Sequence, residues 1–322
     1  MITNNLEHLK FGQITNGEGH SYATFRRNLP PILWRVWLDI SLLYILQIVI
    51  FFVMKKYIID FSLVNVLWTI LFAWMIGFFL ASLNLFIHEA SHYNIHHNKK
   101  TNDLLANLFV GVWFGLNVKS YRLIHWRHHE KLGTTEDTEH SYFNNPNWKF
   151  ILSTLLGIHL VKVLLSRNEK MTAQNQSLAE NKKLDRIVLV VGMLMNLSLL
   201  AIAYFTENYF WIPAWIIGMF SIYPFFNSVR QVIEHRDEKA EASVDYSKVN
   251  HGIVTRFFRF NIFSYFFGGA GFDKHLLHHW DPQISYTRLK EVEDFLATNH
   301  ECNDIITHSK TNYLTAFLKI IK

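Results

Sequence analysis

Eight histidines stand in three short clusters, and a ninth stands alone. The clusters read His88-Glu-Ala-Ser-His92, His125-Trp-Arg-His128-His129 and His275-Leu-Leu-His278-His279; the ninth, His235, closes the run Asn-Ser-Val-Arg-Gln-Val-Ile-Glu-His. Separations of three and four residues bring the members of a cluster onto one face of a helix. Imidazole is the commonest protein ligand for transition metals, and its neutral form suits iron, zinc and copper. With 18 histidines among 322 residues, one HxxHH arises by chance in roughly one such sequence in twenty. Two of them together with an HxxxH arise in fewer than about one in a thousand. The spacing therefore predicts a multi-histidine metal site.

Nine imidazoles exceed the needs of one metal, whereas two metals with four or five nitrogens each would use them all. The clusters contain no cysteine or methionine, which argues against soft-ligand copper and iron–sulfur sites. Zinc is usually satisfied by three or four ligands, so iron is the expected metal. Two irons can share the electrons needed to split O2 and so create an oxidant able to take hydrogen from an unactivated C–H bond. The carboxylates beside the clusters, Glu89, Glu130, Glu234, Asp273 and Asp281, are expected to orient the imidazoles.

Something must carry these clusters, and the composition says what. Half of the residues are hydrophobic and 16% are aromatic, too oily for an ordinary soluble enzyme. The net charge of +5 is modest and its basic residues are scattered, so nucleic acid is excluded as a partner. One cysteine, Cys302, excludes a disulfide framework and any CxxC motif. Residues 1–33 are polar, with Pro30-Pro31 before the first apolar run, and read as a lead-in rather than a signal peptide.

Four apolar runs are long enough to cross a bilayer, at about 36–54, 63–87, 187–205 and 209–229. They form two hairpins, each with a tight turn. Residues 104–118 are apolar too, but at about 1.5 Å per residue they reach roughly 22 Å, short of a core of roughly 30 Å. A full crossing there would also put the first two clusters on opposite faces of the membrane. This stretch is expected to be interfacial or re-entrant. Residues 150–165, interrupted by His159 and Lys162, and the aromatic stretch 257–267 are each expected to lie on the surface as amphipathic helices. Lys55 and Lys56 are the only basic residues on the proposed outer side, while Arg26, Arg27, Lys99, Lys100, Arg122, Arg127, Lys182, Lys183, Arg186, Arg230 and Arg236 flank the other. The positive-inside rule makes that second side cytoplasmic. The expected fold is an all-α integral membrane protein: four transmembrane helices in two hairpins, with a cytoplasmic helical cap holding the histidines and both termini. Its expected divisions are a lead-in (1–33), a membrane domain (34–290) and a C-terminal tail (291–322).

The motifs HEASH, HWRHH and HLLHH, in this order and separated by hydrophobic hairpins, resemble the three histidine boxes of the membrane fatty acid desaturase superfamily. The likeness covers roughly residues 33–290. Tyr121-Arg122 ahead of the second box, Asp137 after it and Pro282 after the third fit as well. The resemblance implies a di-iron centre ligated by His88, His92, His125, His128, His129, His275, His278 and His279, with His235 as a further ligand. It implies that Arg230 and Glu234 buttress His235, and that O2 is a co-substrate beside a lipid or acyl substrate. The third box starts with His275 rather than glutamine, unlike front-end acyl desaturases, and it lacks the longer spacing of alkane hydroxylases. No fused haem domain is visible, so an external ferredoxin- or rubredoxin-like donor is expected. A bacterial inner membrane fits this short layout.

Desaturation of a fatty acyl lipid is the leading expectation. Hydroxylation or ketolation of a lipid, carotenoid or natural product by the same ligand set is the alternative, because the outcome depends on substrate placement to within about an ångström. A metal transporter would need ionisable residues near the middle of the spans, and only Asp39 comes close. His96, His97, His140 and His251 read as surface residues, and His8, His20, His159, His300 and His308 have no partner at ligand spacing.

Overall fold

The computed structural model describes residues 6, 9, 11–144, 146–173, 181–236, 239–246 and 255–321. The chain is mostly helical. Four helices are long and apolar enough to span a membrane: Leu33–Tyr57, Leu63–Ser91, Lys182–Phe205 and Trp211–His235. They correspond to the four expected runs; the first outruns its run at both ends, the second and fourth at the C-terminal end and the third at the N-terminal end, while the fourth begins two residues later than expected. That continuation carries chemistry: His88 lies in the last turn of the second helix, His92 caps it, and His235 is the last residue of the fourth.

The second span is the central one, with half of its apolar stretch buried against 17% for the first and third. Ile76 and Leu80 pack there against Trp211, Trp215 and Met219 of the fourth. On the outer faces, Leu42, Ile45, Phe52, Leu71, Val190 and Leu194 are exposed. A belt of that size on a soluble protein would be an aggregation site; on a span it is the lipid-facing surface.

Between the first two clusters the chain goes out and comes back. A helix over Lys99–Ala106 runs into a π-helical turn (Asn107–Gly111) and a last turn (Val112–Phe114), which Gly115 ends in the left-handed region at φ +64°. The two feet of the loop are tied together, Val118 N donating to Asn107 Oδ1 (2.8 Å) and Asn107 Nδ2 to Asn117 Oδ1 (3.2 Å). The segment therefore folds back on itself between these feet. Its tip presses on the third span at Gly192, where a Cβ would meet the Val112 carbonyl oxygen at 2.0 Å, so only glycine allows this approach.

The remaining elements form a helical layer over one end of the spans. The Tyr22–Arg27 helix is anchored there by Arg26, which donates to both carboxylate oxygens of Asp281 (2.7 and 2.6 Å). The helices Leu289–Ala297 and His300–Ser309 bury Leu289, Val292, Leu296, Ile305 and Ile306 in the same core as Phe86 and Ile87 of the second span. Two surface elements differ from expectation. Residues 150–165 are not one helix: Trp148–Leu155 and Ile158–Ala173 meet at 87°, with Gly157 at φ +69° in the corner. The 257–267 stretch is helical only from Ile262. Phe257-Phe258 are instead buried in a two-residue parallel pairing with Lys310-Thr311, a contact across some fifty residues that no local periodicity reveals.

Candidate metal centre

Each histidine box sits where a helix is pinned. The second span ends under Arg122, which donates to the Ser91 carbonyl (Nε, 2.8 Å) and the Ala90 carbonyl (Nη2, 3.0 Å) and pairs with Asp103. Carbonyls in a last helical turn need partners from outside the helix; the guanidinium supplies one to Ser91 and, beside Tyr93 N (3.1 Å) and Asn102 Nδ2 (2.9 Å), one to Ala90, and it fixes this end to the helix bearing the second box. That helix, Val118–Lys131, puts His125, His128 and His129 on adjoining turns. The third box occupies the short helix His275–Trp280, whose start is held by Leu276 N donating to Arg256 O (2.9 Å).

The nine imidazoles meet in two neighbouring clusters. His88, His92, His125, His129 and His278 each turn one ring nitrogen into a common space within 4.8 Å of one another. His92 and His125 have Nε2 atoms 2.9 Å apart, and His125 and His129 3.0 Å apart. The second cluster gathers His128, His235 and His279. His275 joins it, with Nε2 at 2.9 Å from His235 and 3.1 Å from His279. The clusters touch through His129 and His279, whose ring centroids are 4.4 Å apart.

These separations test whether metal fits. A metal–imidazole bond of about 2.1 Å sets two ligands at a right angle about 3.0 Å apart, and tetrahedral ones about 3.4 Å apart. The observed Nε2 pairs, at 2.9–3.1 Å, match the right angle. Both ring nitrogens of His88 and Nε2 of His278 are buried without a hydrogen-bond partner. A buried polar atom without a partner costs about 1–3 kcal/mol, and a metal removes that cost. The donor set therefore fits metal ions.

The electrostatics agree. Burial, then the neighbouring imidazoles, hold His92, His125, His129, His275, His278 and His279 well below the ordinary histidine range, so they are neutral and able to ligate. His128 is the exception. Burial pulls it down, but Asp137 and Glu139 outweigh that and raise it. Asp137 Oδ1 accepts from His128 Nδ1 at 2.8 Å, which leaves Nε2 facing His235 with its lone pair. Tyr142 Oη (2.7 Å) and Glu139 N (2.7 Å) also donate to this fully buried carboxylate.

Asp137 is thus the orienting carboxylate, and adjacency in sequence did not point to it. Of the carboxylates named for that role, Glu89 lies nearest a cluster, 3.7 Å from His88 Nδ1, while accepting from Tyr286 N. Glu234 accepts from Tyr313 Oη (2.9 Å) and lies 3.7 Å from Arg230 Nε. Asp273 pairs with Lys274, exposed Glu130 with Arg127, and Asp281 with Arg26; none of these three contacts a cluster histidine among the bonds described. His96 and His140 stay outside both clusters, and His159 is buried against Phe150. His251 and His8 lie outside the described residues.

A cavity of about 200 Å³ opens beside the clusters, and His88 and His125 of one and His235 and His275 of the other line it. The Ile158–Ala173 helix forms a wall with Leu160, Val163, Leu164 and Arg167, a role hidden by the bend at Gly157. Arg167 donates to Glu139 (2.8 Å) and, with nearby His128, holds that carboxyl down at about 2 against the opposing effect of burial. A larger cavity, about 310 Å³, lies between the spans, but its lining is almost wholly Leu, Ile, Phe and Trp and offers no group for catalysis.

The sequence matches a protein family described as "Fatty acid desaturase" over residues 65–302, which includes all nine histidines. No curated protein matches the chain.

Proposed function

Since this chain belongs to the fatty acid desaturase family, a family of oxidoreductases, we propose that it is an O2-dependent di-iron enzyme that places a double bond in a fatty acyl lipid by two successive hydrogen abstractions. One observation carries the reading: two touching all-imidazole clusters, of five and four histidines, both open onto the same cavity. His88, His92, His125, His129 and His278 would hold one iron, and His128, His235, His275 and His279 the other. Bound iron would supply the activation of O2.

The chain's own residues do the rest. Leu160, Val163, Leu164 and Phe114 give the cavity an apolar side for a hydrocarbon chain. Because two histidines of each cluster reach that cavity, a chain lying in it passes before both clusters. Asp137 keeps the His128 tautomer fixed throughout. The clusters face the cytoplasm on the charge asymmetry of the loops, in a bacterial inner membrane, and electrons arrive from a separate ferredoxin- or rubredoxin-like carrier. Gas chromatography–mass spectrometry of total lipids, from cells expressing the wild type or His278→Ala, tests the reading. It expects a species lighter by two hydrogens that the variant does not make. A species heavier by one oxygen would make the protein a hydroxylase and overturn desaturation.

A further inference from the structure

The cavity beside the clusters is more polar than a hydrocarbon chain requires. Arg230, 5% exposed, lines it. Its Nη1 donates to the Ala81 carbonyl of the second span (3.3 Å), but Nε and Nη2 have no hydrogen-bond partner. Glu234 Oε1 lies 3.7 Å from Nε, too far for a hydrogen bond. Asn84 lines the same cavity, and its buried Oδ1 is also without a partner. The two belong together. Arg230 is anchored at Ala81, and Asn84 follows Ala81 by three residues on the same helix face. Asn84 in turn precedes His88 by four residues, one turn of about 5.4 Å along that face.

Together they offer two free donors and one free acceptor, one turn from the metal-binding histidines. A methylene chain would satisfy neither and would leave a buried guanidinium edge bare. A hydroxyl group satisfies both, since it accepts from an N–H and donates to an amide oxygen. We propose that the substrate is a hydroxylated lipid whose hydroxyl sits between Arg230 and Asn84, one helical turn from His88 along the second span. This rests on the lipid-oxidoreductase reading above for the chemistry, though not for the binding. Arg230 and Asn84 are then specificity-determining residues, and the oxidised C–H lies only a few bonds from the hydroxyl-bearing carbon.

The test is scintillation-proximity binding of tritiated methyl hexadecanoate, and of its analogues hydroxylated at C2, C3 or C10, to the purified full-length protein in detergent. A site built to hydrogen-bond a hydroxyl rejects the analogue that lacks it. The wild type is expected to prefer the best hydroxylated ester by at least about tenfold. Asn84→Leu is expected to reduce that preference to about threefold or less. Arg230→Gln should do the same, and Asn84→Leu carries the test if that variant fails to fold. Equal wild-type binding of all four esters would overturn the proposal, as would a preference that both variants retain. Because binding is read without turnover, preferential binding with no product would count against the desaturase reading alone, whereas turnover of the plain ester with no binding preference would count against this proposal alone.

Discussion

Asp137→Asn is the sharpest probe of how the site is held. The substitution keeps the shape of the side chain and removes its charge. Wild-type Asp137 is fully buried and accepts from His128 Nδ1 at 2.8 Å, Tyr142 Oη at 2.7 Å and Glu139 N at 2.7 Å. His128 Nδ1 and Glu139 N share Oδ1 and Tyr142 Oη takes Oδ2, so an asparagine either keeps His128 on a neutral oxygen while its amide donates to the Tyr142 hydroxyl, or turns its N–H toward His128; either way His128 loses its charged acceptor. Loss of a hydrogen bond to a charged group is worth about 1.5–3 kcal/mol. Loss of a partner that orients a metal-bound histidine typically lowers metal affinity about 10–100-fold, or ~1.4–2.7 kcal/mol. The two routes give the same magnitude. The effect should be selective, because His128, the histidine that Asp137 orients, belongs to the four-histidine cluster. Iron retained against a graded chelator, read by plasma mass spectrometry, should show one iron held as in the wild type and the other released at about 10–100-fold lower chelator strength. Release of both irons together, or of neither, would refute this reasoning.

Further outcomes follow from the packing and the charges. Arg122→Gln takes the donor from the Ser91 carbonyl, leaves the Ala90 carbonyl to Tyr93 N and Asn102 Nδ2, and removes the ion-pair partner of Asp103, so the protein should lose about 3–5 kcal/mol in denaturant melts, part of it recovered by adding Asp103→Asn. Gly192→Ala drives a methyl into the Val112 carbonyl, and a loss of about 1–3 kcal/mol with lowered turnover is expected in melts and lipid assays. For the metal-free protein, six cluster histidines have pKa values held below that of an unfolded histidine, so the unfolded chain takes up more protons as pH falls below about 6.5. Its stability should therefore drop between about pH 6.5 and about pH 5, in melts compared at these values. His128, which is raised, acts oppositely: its contribution is present in acid and lost as pH rises through its folded value. Glu139, lowered to about 2, keeps its contribution through that whole window.

Much of this site was legible because its pattern is local. Spacings of three and four residues put His125, His128 and His129 on one helix, and span length with the parity of crossings placed the boxes at one end of the bundle. The turn back at 104–118 was legible from length alone, although the π-helical turn and the Gly192 contact that shape it were not. What stayed hidden depends on distant contacts. Asp137 reaches His128 only after the chain has doubled back beyond Lys131, so the carboxylates next to the boxes were the natural but less relevant candidates. The pairing of Phe257-Phe258 with Lys310-Thr311 and the clasp of Arg26 on Asp281 each join segments that no periodicity connects. The cavity wall formed by Leu160, Val163, Leu164 and Arg167 depended on a bend that a single glycine makes possible.

The central claim is that the two imidazole clusters hold a pair of irons. Metal content with a Mössbauer spectrum, measured on protein purified from cells grown with ⁵⁷Fe, tests it most directly. The account predicts two irons per chain in nitrogen-rich, high-spin sites, with His278→Ala and His279→Ala each releasing metal from its own cluster first. A single metal per chain, or zinc filling both clusters in iron-replete cells, would contradict it.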